Sequence, residues 1–147
     1  MLTLREFGRP NRNMALDLAR VLVVDDDPTA RLTLKTVLEA GGYRVDSAAS
    51  AAEAVGKLEE HEYQLVLSDL QMESPEAGLK VLAHARMMDY KPATAIFTSS
   101  SNQGSSPSTT SRMLITPEDL PSLLAKVANL ISQRAARRLA RELRHNN

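Results

Sequence analysis

Hydrophobic positions along this chain fall into short solid blocks, separated by longer stretches with helical spacing. Val21-Leu22-Val23-Val24 runs directly into Asp25-Asp26-Asp27, and Leu65-Val66-Leu67-Ser68 runs into Asp69 in the same manner 44 residues later. Uninterrupted apolar runs of this length suit strands covered on both faces, as in a parallel sheet. After Pro28, which a first helical turn tolerates, Ala30, Leu34, Val37 and Leu38 mark the buried face of a helix that Gly41-Gly42 ends. Residues 43–48 alternate, as a more exposed strand does. Ser50 and Glu53 form a capping box opening a helix to about residue 60, with Ala54, Val55 and Leu58 inward.

The second half continues the alternation less regularly. Residues 65–69 are the third strand, 70–77 a polar loop containing Pro75, and 78–88 a helix burying Leu79, Val81, Leu82 and Ala85. Residues 93–98 are the fourth strand and Met113-Leu114-Ile115 a short fifth. Residues 99–111 hold Ser, Thr, Gly, Asn and Pro with almost nothing to bury, so a long loop is expected where regular alternation calls for a helix. Thr116-Pro117-Glu118-Asp119 starts a last helix, with Thr as N-cap and acids at the positive end of the dipole. Leu120, Leu123, Leu124, Val127, Leu130 and Ile131 form its buried face, and the Arg-rich tail extends it, with Ala135 and Leu139 thinly continuing the stripe.

Five strands alternating with four or five helices, joined by right-handed crossovers, make a doubly wound α/β domain. Carboxylates ending two parallel strands converge on the carboxyl edge, at a switch point of strand order, where open α/β sheets place their sites. Clustered like charges are costly unless a cation or proton relieves them. Asp25, Asp26 and Asp69 therefore predict a small acidic pocket for a divalent metal.

Composition narrows the function classes. At 147 residues the chain is one domain's worth; 43% is hydrophobic but only 3% aromatic, so the core is aliphatic. The absence of cysteine excludes disulfides and thiolate chemistry and suits a reducing compartment. No apolar run approaches a bilayer span or a signal segment, so the expected location is cytoplasmic, with no membrane partner. The net charge of zero is divided: residues 21–131 hold 9 basic and 15 acidic residues, whereas 132–147 carry five arginines against Glu142. An acidic body does not suggest nucleic-acid binding. The five tail arginines read as spread around a helix, either a solvated end or a docking element.

In order and spacing the chain resembles a response regulator receiver domain. The resemblance covers about residues 20–131 and rests on Val-Leu-Val-Val-Asp-Asp at 21–26, Asp69-Leu70-Gln71-Met72, Gly78-Leu79 and Ile96-Phe97-Thr98. It implies a flavodoxin-like sheet of order 2-1-3-4-5. It also implies that Asp69 is the phosphoacceptor and that Asp25, Asp26, Asp69 and the Gln71 backbone carbonyl hold Mg²⁺, a cation suited to an all-oxygen, partly hydrated site. Thr98 would hydrogen-bond the phosphoryl group. The implied partners are a sensor histidine kinase or phosphotransfer protein and a downstream protein, with self-association left open. The implied organisation is an N-terminal arm over 1–19, a receiver over 20–131 and a basic helical extension over 132–147.

The pattern also departs from the family. Thr116-Pro117 stands where receivers carry Lys-Pro, Met113 stands at the aromatic switch position, and Glu73 stands where Pro is usual. The spacing to Gly78 runs one residue long, and the fourth helix is expected to be missing or reduced. The reading is an atypical single-domain receiver in a two-component phosphorelay. A phosphorylation-independent pseudo-receiver scaffold is the alternative. A haloacid-dehalogenase-type phosphatase is weaker: Asp25-Asp26-Asp27-Pro28-Thr29 fits Asp-x-Asp-x-Thr, but the later acids and a cap domain are missing. Plainer roles are set beside these: Asp27 and Thr116 as helix caps, Thr98 as a β-branched strand residue, His61 and His84 as surface groups, and the methionines as packing.

Overall fold

The structure, a computed structural model, describes residues 19–69, 72–74, 76–97, 113–115 and 121–145. Its strands are β1 (Arg20–Val24), β2 (Arg44–Ala48), β3 (Leu65–Asp69), β4 (Ala93–Phe97) and β5 (Met113–Ile115). They form one parallel sheet in the order β2-β1-β3-β4-β5, the arrangement that the resemblance implies. Four α-helices are present among the described residues: α1 (Pro28–Ala40), α2 (Ala51–Glu60), α3 (Ala77–Arg86) and α4 (Leu123–His145).

Strand residues alternate between two apolar layers, because successive side chains point to opposite faces. Val21, Val23, Leu65, Leu67, Ala95 and Phe97 pack with Leu34 and Leu38 of α1 and with Leu123, Val127 and Leu130 of α4. Leu22, Val24, Val66 and Ile96 pack on the other side with Ala54 and Leu58 of α2 and with Val81, Leu82 and Ala85 of α3. Burial on both faces explains the unbroken apolar runs of β1 and β3.

Local chemistry sets the helix ends. Asp27 caps α1 by accepting the Thr29 N–H at 3.2 Å, and Pro28 occupies the first turn. Gly41 closes that helix and Gly42 turns the chain at φ 101°, a backbone conformation open to glycine at little steric cost. Ser50 accepts the Glu53 N–H, while the Glu53 carboxylate reaches back one residue further than a standard capping box, to the Ala49 N–H.

Helix α4 runs without a break from Leu123 to His145, so the Arg-rich tail is helical as expected. A continuous helix sorts the arginines to one side rather than spreading them around. Arg134 is buried instead of solvated. The expected N-terminal arm, the helix start at Thr116 and the long loop at 99–111 lie outside the described residues, so the expected loss of a helix between β4 and β5 does too. Ala19, at the expected end of the arm, is buried and its carbonyl accepts the Arg44 N–H.

Candidate functional site

Strands β1 and β3 are adjacent and parallel, with Val24 opposite Ser68. The next residues, Asp25 and Asp69, therefore emerge side by side at the carboxyl edge. Asp26 follows in the turn to α1. Carboxylate oxygens of Asp25, Asp26 and Asp69 lie within 4.8 Å of one another. Asp25 and Asp69 are buried and Asp26 is exposed, so the cluster has a closed floor and one side open to solvent.

The surrounding backbone holds Asp25 in place. Its N–H donates to the Ala48 carbonyl at 3.1 Å, its Oδ1 accepts the Asp27 N–H at 3.0 Å, and its own carbonyl accepts from the Arg31 guanidinium at 2.7 Å. Its second oxygen, Oδ2, is buried with no hydrogen-bond partner. Burial pushes the Asp25 carboxyl above its ordinary value, against the Asp27 N–H and a hydrogen bond with Asp69, which pull it down; the charges of Asp26 and Asp27 push it up further. A buried carboxylate with a bare oxygen beside two more carboxylates is poorly satisfied by protein groups alone. A divalent cation relieves both the repulsion and the unmet oxygen, and an all-oxygen donor set suits a hard cation such as Mg²⁺. These residues fit a metal ion.

The three predicted acids are thus brought together, and Asp27 is held apart as a helix cap. That position removes the phosphatase pattern's second carboxylate from the cluster. Thr98, Gln71 and Thr116 lie outside the described residues. His84 pairs with Glu59 across α2 and α3 at 3.1 Å, away from the acids.

Three contributors escape sequence reasoning. Arg31 braces the end of β1 through the Asp25 carbonyl. Glu73, in the loop after β3, accepts the Ala51 N–H at 3.1 Å and so ties that loop to the start of α2. Its signal was only its departure from the expected Pro. Arg134 donates to the carbonyls of Tyr90 and Lys91 at 2.7 and 2.9 Å. Its signal was visible, since it continues the buried 123, 127, 130 spacing of α4.

The family described as response regulator receiver domain matches residues 21–111. A gliding motility regulatory protein of Myxococcus xanthus is 35% identical over 96 residues, 65% of this chain but 12% of that protein. The transcriptional regulatory protein ResD of Bacillus subtilis is 38% identical over 77 residues, 52% of this chain and 30% of that protein. The match thus spans less than a third of either relative. Among solved structures, the Thermotoga maritima response regulator TrrA, in complex with Mg²⁺-BeF, is 30% identical with a TM-score of 0.66, over 77% of this chain and 99% of that one. A receiver domain protein of Methanospirillum hungatei is 25% identical with a TM-score of 0.71, over 82% and 99%. Matched over more than half of its length by that family's model and alike in fold to solved members, the chain belongs to the response regulator receiver domains.

Proposed function

We propose that this chain accepts a phosphoryl group on Asp69 with Mg²⁺ held by Asp25, Asp26, Asp69 and the Gln71 backbone carbonyl, and that it signals by protein contact. The observation that carries this reading is the meeting of three carboxylates at the carboxyl edge, one of them with a bare buried oxygen. The likeness to a receiver solved with Mg²⁺-BeF supports it.

An Asp69 oxygen attacks the phosphorus of a phosphohistidine in line. The P–O bond forms as the P–N bond breaks, and the imidazole nitrogen keeps the electron pair and takes a proton. The metal supplies charge neutralisation, letting an anionic phosphoryl group approach a carboxylate. Asp25 and Asp26 would place the cation, and the Ala48, Asp27 and Arg31 hydrogen bonds hold Asp25 at the strand end beside Asp69. Thr98, which follows Phe97 in the sequence, would hydrogen-bond the transferred group, as the family resemblance implies. A sensor histidine kinase or phosphotransfer protein is the donor class, and a cytoplasmic setting follows from that donor.

Thr116 at the usual Lys position removes a cation from the phosphoryl group, which favours a second reading, a scaffold that binds partners without modification. Incubation with acetyl phosphate and Mg²⁺ followed by intact mass separates the two. The phosphorelay reading expects a single phosphoryl adduct, absent without Mg²⁺ and absent in Asp69→Asn. No adduct in the parent, or an equal one in Asp69→Asn, removes that reading. Partner capture undiminished in Asp69→Ala then supports the scaffold.

A further inference from the structure

Both arms of the acid cluster are fastened to one short turn, the link between β2 and α2. On one side the Ala48 carbonyl accepts the Asp25 N–H at 3.1 Å. Three residues on, the Ala51 N–H donates to the Glu73 carboxylate at 3.1 Å. Glu73 stands four residues after Asp69 and two after Gln71 in the chain. The turn between these anchors is itself held. Ser50 Oγ accepts the Glu53 N–H at 3.2 Å, and the Glu53 carboxylate accepts the Ala49 N–H at 2.9 Å. Ala48 is buried, and Ala51 and Met72 both pack against the apolar layer under α2 and α3.

Ala51 opens α2, so its N–H is one of the donors that a helix leaves without an internal partner. Such donors are commonly met by a cap residue of the same helix or by water. Here the acceptor comes from 22 residues away. A carboxylate at the positive end of a helix gains from the dipole as well as from the hydrogen bond, so the contact fixes Glu73 while it finishes α2. Met72 is seated beside it in the same layer. The acid cluster among the described residues comprises Asp25, Asp26 and Asp69, so Glu73 serves it without lending an oxygen.

We propose that Glu73 is a positioning residue for the cation: by binding the Ala51 N–H it holds the segment after β3, so that the Gln71 carbonyl joins Asp25, Asp26 and Asp69 as a ligand. This inference rests on the Mg²⁺ and phosphoryl reading given above. A ligand set assembled before the ion arrives binds it more tightly, because less of the chain is ordered on binding. The turn from Ala48 to Ala51 then sets the spacing of the two arms, one through the Asp25 N–H and the other through Glu73. A plainer role, a cap for α2 alone, gives a loss of stability with unchanged cation affinity.

Calorimetric titration of the full chain with Mg²⁺, beside urea unfolding in chelator, tests this. Glu73→Ala is expected to raise the Mg²⁺ Kd about three- to fivefold and to slow adduct formation from acetyl phosphate at subsaturating Mg²⁺. Glu73→Gln keeps an acceptor at the same reach and stays within about twofold of the parent. Glu73→Asp keeps the charge, falls one methylene short and behaves like Glu73→Ala. Ala51→Pro removes the donor instead. Proline suits a first helical position, and Ser50 before it is already extended at φ −152° and ψ 166°, so α2 is retained. Ala51→Pro raises the Kd by the same factor, and the double variant with Glu73→Ala is no worse than either alone. An unchanged Kd in Glu73→Ala, with or without a fall in stability, overturns the inference. So does an equal loss in Glu73→Gln, or factors that multiply in the double variant. A parent that neither binds Mg²⁺ nor forms an adduct overturns the Asp69 reading together with this one. A parent that does both, beside an unaffected Glu73→Ala, overturns this inference alone.

Discussion

The Arg134 guanidinium donates to the Tyr90 backbone carbonyl at 2.7 Å, fastening the last helix to the turn that precedes β4. The same guanidinium holds the Lys91 carbonyl through its Nε, and Lys91 sits at φ 45°, so the clamp secures a backbone turn that few side-chain-bearing residues adopt. Arg134→Ala leaves two carbonyls unmet and lowers stability by about 2–4 kcal/mol in urea unfolding. Arg134→Lys recovers little of the loss, because a single ammonium does not reproduce the planar fork.

Asp25 gives a stability change of the opposite sign. Asn at this position removes a buried, repelled charge while keeping an acceptor for the Asp27 N–H. Metal-free Asp25→Asn is expected to be more stable than the parent at pH 7 by about 1–2 kcal/mol, a rise of about 3–8 °C in thermal midpoint. The raised pKa means that the fold favours the uncharged acid, so the parent's disadvantage appears as pH rises through that pKa and is absent in strong acid. Thermal melts across pH in a chelating buffer read the difference.

Mg²⁺ is expected to reverse that ranking. A ligand that binds only the folded state adds about 1.4 kcal/mol at ten times its Kd. The parent's melting temperature therefore climbs with added Mg²⁺ and falls back with chelator. Asp25→Asn and Asp26→Asn show little response. An equal rise in all three proteins means that the ion binds elsewhere.

Alkaline pH probes the other layer of the core. Burial, helped by the charge of Glu62, raises the Tyr90 phenol from 10.0 to about 12. A raised phenol pKa means that the folded state keeps its proton longer, so this contribution is complete below pH 10 and is lost as pH rises toward 12. Tyr90→Phe lowers stability at neutral pH by about 1 kcal/mol through loss of the Leu58 hydrogen bond, and flattens the decline above pH 10. Urea midpoints from pH 8 upward would show both effects.

Two adjacent glycines are expected to behave differently. Gly42→Ala places a side chain at φ 101° and costs about 1–3 kcal/mol. Gly41→Ala has an ordinary φ of −85°, and its new Cβ falls 2.6 Å from Leu124 Cδ2. That leucine tip is partly exposed and free to swing, so the cost is smaller. Equilibrium unfolding of the two variants orders them.

Legibility in the sequence followed the range of the interactions. Strand β3 begins at the apolar block Leu65-Val66-Leu67 and runs on to Asp69 as expected, because a strand covered on both faces reads as a solid apolar run up to the edge where the acid stands. Helix α2 matches its capping residue and stop within the chain, since caps bind groups only three or four residues away. Asp25, Asp26 and Asp69 were found because each follows a strand and parallel strands share an edge. The partners of Glu73 and Arg134 went unread: Ala51 and Tyr90 are 22 and 44 residues distant, and nothing local signals such a bond.

What the chain's own pattern determined is the set of elements and the edge on which the acids stand, both consequences of periodicity, caps and the direction of parallel strands. Tertiary structure alone decided which oxygen of Asp25 lacks a partner, and that Asp27 turns away to cap α1. It also decided which two carbonyls the buried arginine of the basic tail meets. Those outcomes depend on how separate segments pack and on which polar atoms that packing strips of water, quantities that no run of neighbouring residues carries.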